Sequence, residues 1–185
     1  MKLRLLSLLL ALAPFPGQAL DLTPTMAFRD LEGIKIPIIL FTDAGQKISY
    51  QPPVKWNVSG GEGVLSLYPP ELPDAVLQLV VRPRKPLDPG ATEDLEKWCL
   101  AQLPQDATDP KREGEAANNI FTLGTLPSRE FTFSYAAQGR RFTTSVAIVD
   151  WNERERLAVI VTARTADHRP IYETAMRSMF SWSPQ

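Results

Sequence analysis

The chain holds one cysteine and one histidine in 185 residues. A lone cysteine excludes an internal disulfide, and with it the small stapled scaffolds common among exported proteins, so stability must come from core packing. Zinc sites draw on several His or Cys ligands, and one of each is too few. The sequence has no Gly-Lys-Ser/Thr loop and no Gly-x-Ser-x-Gly elbow, which removes the usual signatures of nucleotide binding and serine hydrolysis. An excess of charge is missing too: 20 Lys+Arg stand against 21 Asp+Glu. With no basic patch interleaved with aromatics, nucleic acid is not an expected partner. Internal repeats and coiled-coil heptads are absent.

Hydrophobic residues make up 44% of the chain, enough for one domain with a real core. Lys2 and Arg4 precede the apolar run Leu5–Ala13, and Gly17-Gln18-Ala19 supplies small residues. This is the layout of a secretory signal peptide, 1–19, cut after Ala19; the run is too short to span a bilayer as an anchor. No Cys stands at the cleavage site, and no other segment is suited to crossing a membrane. The expected mature protein is exported, periplasmic or extracellular, without a stable membrane anchor. Losing Lys2 and Arg4 from 20 basic residues against 21 acidic ones leaves a net charge of about −3.

The last third sets the fold. In Arg129–Ala137, Phe131, Phe133 and Tyr135 alternate with Thr132, Ser134 and Ala136, the period of a half-buried strand. Gln138-Gly139 makes a turn, Phe142–Val149 alternates again, and Asn152–Glu155 is a second turn. Leu157–Ala163 is apolar on both faces, which predicts a central strand covered above and below. Asp167 is read as an N-cap whose carboxylate accepts helix N–H groups, with Pro170 in the first turn. Ile171, Tyr172, Ala175, Met176 and Met179 form one apolar helical stripe, and Phe180 and Trp182 are expected to extend it.

Most of the 17 prolines lie before Gly114, so the first half reads as turns and edge strands. Residues 20–33 are expected to be a flexible lead-in to one domain over 34–183. Ile34–Phe41 carries Pro37 and reads as an edge strand or two short pieces; Lys47–Tyr50 resumes as strand. Trp56–Val58 and Gly63–Tyr68 form a hairpin around a Ser59–Glu62 turn, with Ala75–Arg82 the next strand. A Pro83–Gly90 link leads to a helix over Thr92–Leu103 with Leu95, Trp98, Cys99 and Leu103 on one face. Gln105–Asn118 is expected to be a mobile exposed loop, and Ile120–Leu126 a strand.

Three stretches carry a resemblance. Tyr50-Gln-Pro-Pro-Val-Lys-Trp56 is similar to an early segment of the PsbP/Mog1-like family, whose members include exported bacterial DcrB-like proteins. Phe133-Ser-Tyr135, Gly139 and the Val146–Val149 and Leu157–Ala163 runs resemble that family's late meander, and Met176–Trp182 its final helix. The resemblance spans Ile34 to Trp182 and implies an α+β fold, an antiparallel β-sheet sandwiched by helices (α/β/α). It also implies an accessory, partner-binding role without catalysis or cofactor, but no partner-binding residue carries over.

Candidate chemistry is thin. His168, beside Asp167 and near Glu173, is read as a helix-start histidine rather than a metal ligand or base. Cys99 shares an apolar helix face and is read as an inert thiol; pairing it with His168 as nucleophile and base is the hydrolase alternative. Glu153 and Glu155 are too close together for a glycosidase pair. Trp151, at a strand end beside a polar turn, and the Pro52-Pro53 edge are the candidate partner-binding surface. The expected function is that of an exported, non-enzymatic accessory domain binding a protein partner or envelope component. The other alternative is a small-ligand carrier with a pocket under the C-terminal helix.

Overall fold

A computed structural model describes residues 20–61, 63–84, 94–123 and 126–184. The expected signal peptide, most of the Pro83–Gly90 link and the expected helix start at Thr92 lie outside the described residues. The elements are β1 Asp21–Leu31, β2 Ile34–Asp43, β3 Gln46–Tyr50, β4 Asn57–Gly61, β5 Val64–Tyr68, β6 Val76–Pro83, α1 Leu95–Leu100, β7 Thr108–Arg112, β8 Ala117–Leu123, β9 Leu126–Ala137, β10 Arg140–Asp150, β11 Glu155–Arg164, α2 His168–Met179 and β12 Ser183–Pro184.

The larger sheet runs β4-β5-β6-β11-β10-β9-β7, and β8 pairs with the first half of β9. Every pairing is antiparallel. As its two apolar faces predicted, β11 is central, held by β10 on one side and β6 on the other. Leu157, Val159, Val161 and Ala163 enter one core, while Ala158 and Ile160 enter a second core on the opposite face. The turn between β9 and β10 uses Gln138 (φ 50°) and Gly139 (φ 71°), the left-handed pair that a two-residue hairpin between twisted strands requires.

The first core is closed by α2, which buries Ile171, Ala175, Met176 and Met179. It is also closed by a second sheet, β1-β2-β3-β12, whose Ile39, Phe41, Ile48 and Tyr50 point into it. The opposite core lies under α1, with Cys99 at its centre and Leu95, Trp98 and Leu103 around it. The fold is therefore α+β, mostly antiparallel sheet with a helix on each face as expected, and the α2 side carries the second sheet as well.

Some expectations are corrected. Residues 21–31 form β1, not a flexible lead-in: β1 pairs with β2 from Thr25↔Leu40 to Leu31↔Ile34, and Leu22 is buried. Residues Ile34–Asp43 form one unbroken strand. Pro37 is tolerated because β3 pairs with β2 only from Ile39 onward, leaving Pro37 with β1 as its one neighbour. The Ser59-Gly60-Gly61 stretch belongs to β4 and is not the turn; Glu62 lies outside the described residues. Within the expected loop Gln105–Asn118, residues Thr108–Arg112 form β7, bulged at Asp109 (φ 50°) and fully exposed as an edge. Asp167 stands at the N-cap of α2 without a side-chain cap bond. Phe180 turns to solvent, and only Trp182 extends the buried stripe.

Candidate functional site

Cys99 and His168 are on opposite sides of the large sheet. The Cys99 thiol is buried, with Sγ 3.9 Å from the Val146 carbonyl oxygen. Burial pushes its pKa up to about 12, and the nearby Arg156 and Arg129 only partly offset this. His168 Nε2 lies 3.4 Å from Ser145 Oγ. Ser145 and Val146 are successive residues of one strand and so point to opposite faces. The nucleophile–base pairing is thereby excluded. His168 is half-buried and stacks on Tyr172 at 5.7 Å; burial lowers its pKa, against a smaller opposing contribution from the Val161 backbone. Glu173 bonds Arg169 at 3.1 Å. Among the described residues no group of three or more His, Cys, Asp or Glu is placed to hold a metal.

A polar row under α2 had no counterpart in the sequence reading. Glu130 is 6% exposed and accepts a bond from the Tyr172 hydroxyl at 3.1 Å, while its other oxygen has no partner. Burial pushes its pKa up to about 7, with the Tyr172 bond pulling the other way. Along the same face Thr132 and Ser145 share a 2.8 Å bond. The available signal was the alternation Ser128-Glu130-Thr132, which places these side chains on the α2 side once Phe131 and Phe133 face α1.

Trp151 is committed to the fold. Its indole N–H donates to Asp43 at 3.1 Å, and its ring meets Trp182 edge-on at 5.9 Å. Trp182 in turn packs on Phe41 at 5.1 Å and Tyr50 at 5.9 Å. This cluster fastens the small sheet to the turn between β10 and β11.

Pro52 and Pro53 lie at the wall of a groove of about 360 Å³ between the β1–β2 hairpin and the 51–58 segment. The segment is rigid: prolines fix φ, and the Trp56 N–H closes back on the Pro53 carbonyl at 3.2 Å. Beyond the groove the hairpin exposes Phe28 (68%), Leu31 (55%) and Ile34 (66%), and Val54 stands 77% exposed at the groove wall. A recess of about 300 Å³ joins Pro52–Val54 to Arg177 and Ser178 at the side of α2. Where a ligand pocket is expected under α2, the helix's inner face among the described residues is packed by Ala175, Met176 and Met179. A wider cleft of about 610 Å³ beside α1 has Arg129 and Asp150 in its wall, the latter engaged by Arg156 at 2.8 Å.

No family model and no curated protein matches the sequence. Solved structures do match. LpqN from Mycobacterium tuberculosis, described as involved in cell envelope biogenesis, superposes with a TM-score of 0.51 at 15% identity, over 75% of this chain and 83% of that one. The two chains share a fold. Cyanobacterial PsbP (CyanoP) from Synechocystis also matches, with a TM-score of 0.46 at 11% identity, over 86% of this chain and 98% of that one. The sequence resembles the PsbP/Mog1-like family, and a PsbP is among the solved structures matched. No helix among the described residues is long and apolar enough to cross a membrane.

Proposed function

We propose that the protein is an exported, non-enzymatic accessory domain of the cell envelope that binds a protein partner through the outer half of its β1–β2 hairpin. The observation that carries this reading is the exposure of Phe28, Leu31 and Ile34 on one projecting hairpin. Phe28 stands on one face of this hairpin and the Leu31–Ile34 pair on the other, and exposed apolar side chains of this size at one projecting element mark interaction sites. The separation of Cys99 from His168 supports binding over hydrolysis, and the fold shared with an envelope-biogenesis protein supports the compartment. Pro52, Pro53 and Val54 border the same end of the molecule; Trp151 is held within the fold.

The test is cross-linked capture from the envelope fraction of the native host. Mature protein beginning at Leu20 is compared with a Phe28→Ser/Ile34→Ser variant. A partner retained by the first and lost by the second is the expected result. Equal capture by both, or retention of the full-length protein in the cytoplasm, refutes the reading.

A further inference from the structure

The groove beside the hairpin has a chemistry that the partner reading does not use. Apart from Gln51, Lys35 and Lys55, every side chain lining it is apolar, Pro37, Pro52, Pro53 and Trp56 among them. Both lysines are exposed, and neither takes part in an ion pair among the described residues. No acidic side chain lines the groove. We propose that it binds a free single-chain anionic amphiphile, with the alkyl chain on the apolar walls and a carboxylate, phosphate or sulfate held by Lys35 and Lys55.

Three observations favour this occupant over a peptide or a bilayer. A buried peptide needs a partner for each of its N–H and C=O groups. Three of the lining residues are prolines without an N–H, and the uncharged side chains offer polar atoms only at Gln51 and the Trp56 indole N–H. An alkyl chain has no such need and gains from each apolar contact. The groove's volume, about 360 Å³, falls within the range of roughly 300–1,000 Å³ usual for small-molecule clefts. The neighbouring hairpin end balances Asp30 and Glu32 against Arg29 and Lys35, so it offers no net basic surface to an anionic bilayer, and the occupant is proposed as a monomer. The prolines also keep the walls in place before binding, which lowers the ordering cost.

The groove adjoins the hairpin's exposed residues, since Phe28 pairs with the groove residue Pro37, but different variants and readouts test the two readings. The experiment is a titration of mature protein with 9,10-dibromostearate, kept below its aggregation concentration, because bromine quenches a tryptophan it touches. Saturable quenching is expected in the wild type and is lost in Trp56→Phe. In Lys35→Ala/Lys55→Ala, binding weakens about tenfold, as two exposed charge contacts imply. The methyl ester of the same acid shows a similar loss in the wild type. Quenching that survives Trp56→Phe, or is unchanged in the double lysine variant or with the ester, overturns the proposal.

Three further readouts assign the groove elsewhere if the proposal is wrong. Co-flotation with phosphatidylglycerol vesicles that the lysine variant abolishes gives it to a membrane. Elution as a dimer that Val54→Glu splits gives it to a second copy. Loss of a captured protein in the lysine variant, but not in Phe28→Ser/Ile34→Ser, gives it to a protein partner. Any of these overturns the proposal, whereas the partner reading fails if the hairpin variant keeps its capture or the full-length protein stays in the cytoplasm.

Discussion

Glu130 makes stability depend on pH in a direction that can be worked out. Burial raises its carboxyl from an ordinary 4.5 to about 7. Between those values the unfolded chain has released the proton and the folded chain keeps it. The native state then binds more protons, so stability falls as pH rises through this window and levels off above it. A shift of this size corresponds to about 3 kcal/mol, a large part of the ~5–15 kcal/mol that holds a domain together. His168 acts in the opposite direction: burial lowers its pKa, so the neutral ring suits the fold and stability falls as pH drops below the ordinary 6.5. Glu130→Gln stays neutral throughout and keeps an acceptor for the Tyr172 hydroxyl. Urea unfolding followed by tryptophan fluorescence, in a His168→Gln background, isolates the effect. Near pH 4.5 the Glu130→Gln variant should match its parent within ~1 kcal/mol, and near pH 8 it should be more stable by about 3 kcal/mol. A variant less stable than its parent near pH 8, or an unchanged pH slope, refutes the reasoning and means that the ionised carboxylate is well partnered.

Other consequences are simpler. Cys99 should resist a thiol reagent in the native protein and react only on unfolding, since it is buried with a pKa of about 12; labelling within minutes in buffer contradicts the packing. Met179→Ala should cost about 2–4 kcal/mol, while Phe180→Ala, one residue on and 67% exposed, should stay within ~0.5 kcal/mol. Both are read from urea midpoints, and equal costs would show that the helix is rotated. Trp151→Phe keeps the ring on Trp182 but removes the donor to Asp43, at a cost of about 1 kcal/mol. Partner capture should be unaffected, and a lost partner would return Trp151 to the binding surface.

The late meander was legible because each strand shows its period without interruption and each turn is polar. β11 announced itself by two apolar faces, and that signal alone required a layer on each side. β1 and β7 were not legible. Their side chains are mostly exposed, so they carry no periodic pattern, and main-chain bonding to β2 and β9 is what orders them. The Gly60-Gly61 pair misled for a physical reason. A Cβ on Gly60 would lie 3.0 Å from Pro24 Cδ and Leu65 Cδ1, so glycine here serves a close crossing of β1 over β4 and not a turn. Missing β1 meant missing the second sheet, since β12 is only two residues long. The groove was illegible for a related reason: its walls come from β1, β2 and the 51–58 segment, which only the tertiary fold brings together. The sequence marks Pro52 and Pro53 as a candidate partner-binding edge; in the fold their fixed φ gives the groove a fixed wall.

The expected signal cleavage and the fold meet at one atom. Leu20 is the first residue after the expected cleavage site; its side chain is buried and its backbone nitrogen lies 3.3 Å from Glu155 Oε2. In an unprocessed chain this is an amide N–H donating to a carboxylate. Cleavage after Ala19 turns it into an α-ammonium in the same place, and a charge-assisted bond is stronger than a neutral one. Asn152 already steadies that carboxylate with a 3.0 Å bond from its side-chain amide, so little further ordering is needed. Cleavage at the expected site would then tighten the start of β1 against the β10–β11 turn, the same turn that Trp151 fastens to the small sheet through Asp43. A double-mutant cycle measures the coupling: protein beginning at Leu20 against protein with one added N-terminal glycine, each with and without Glu155→Gln. The added residue should cost about 1 kcal/mol with Glu155 present and close to nothing in the Glu155→Gln background. A cost that is the same in both backgrounds would place the new ammonium in solvent and detach processing from the closure of the fold.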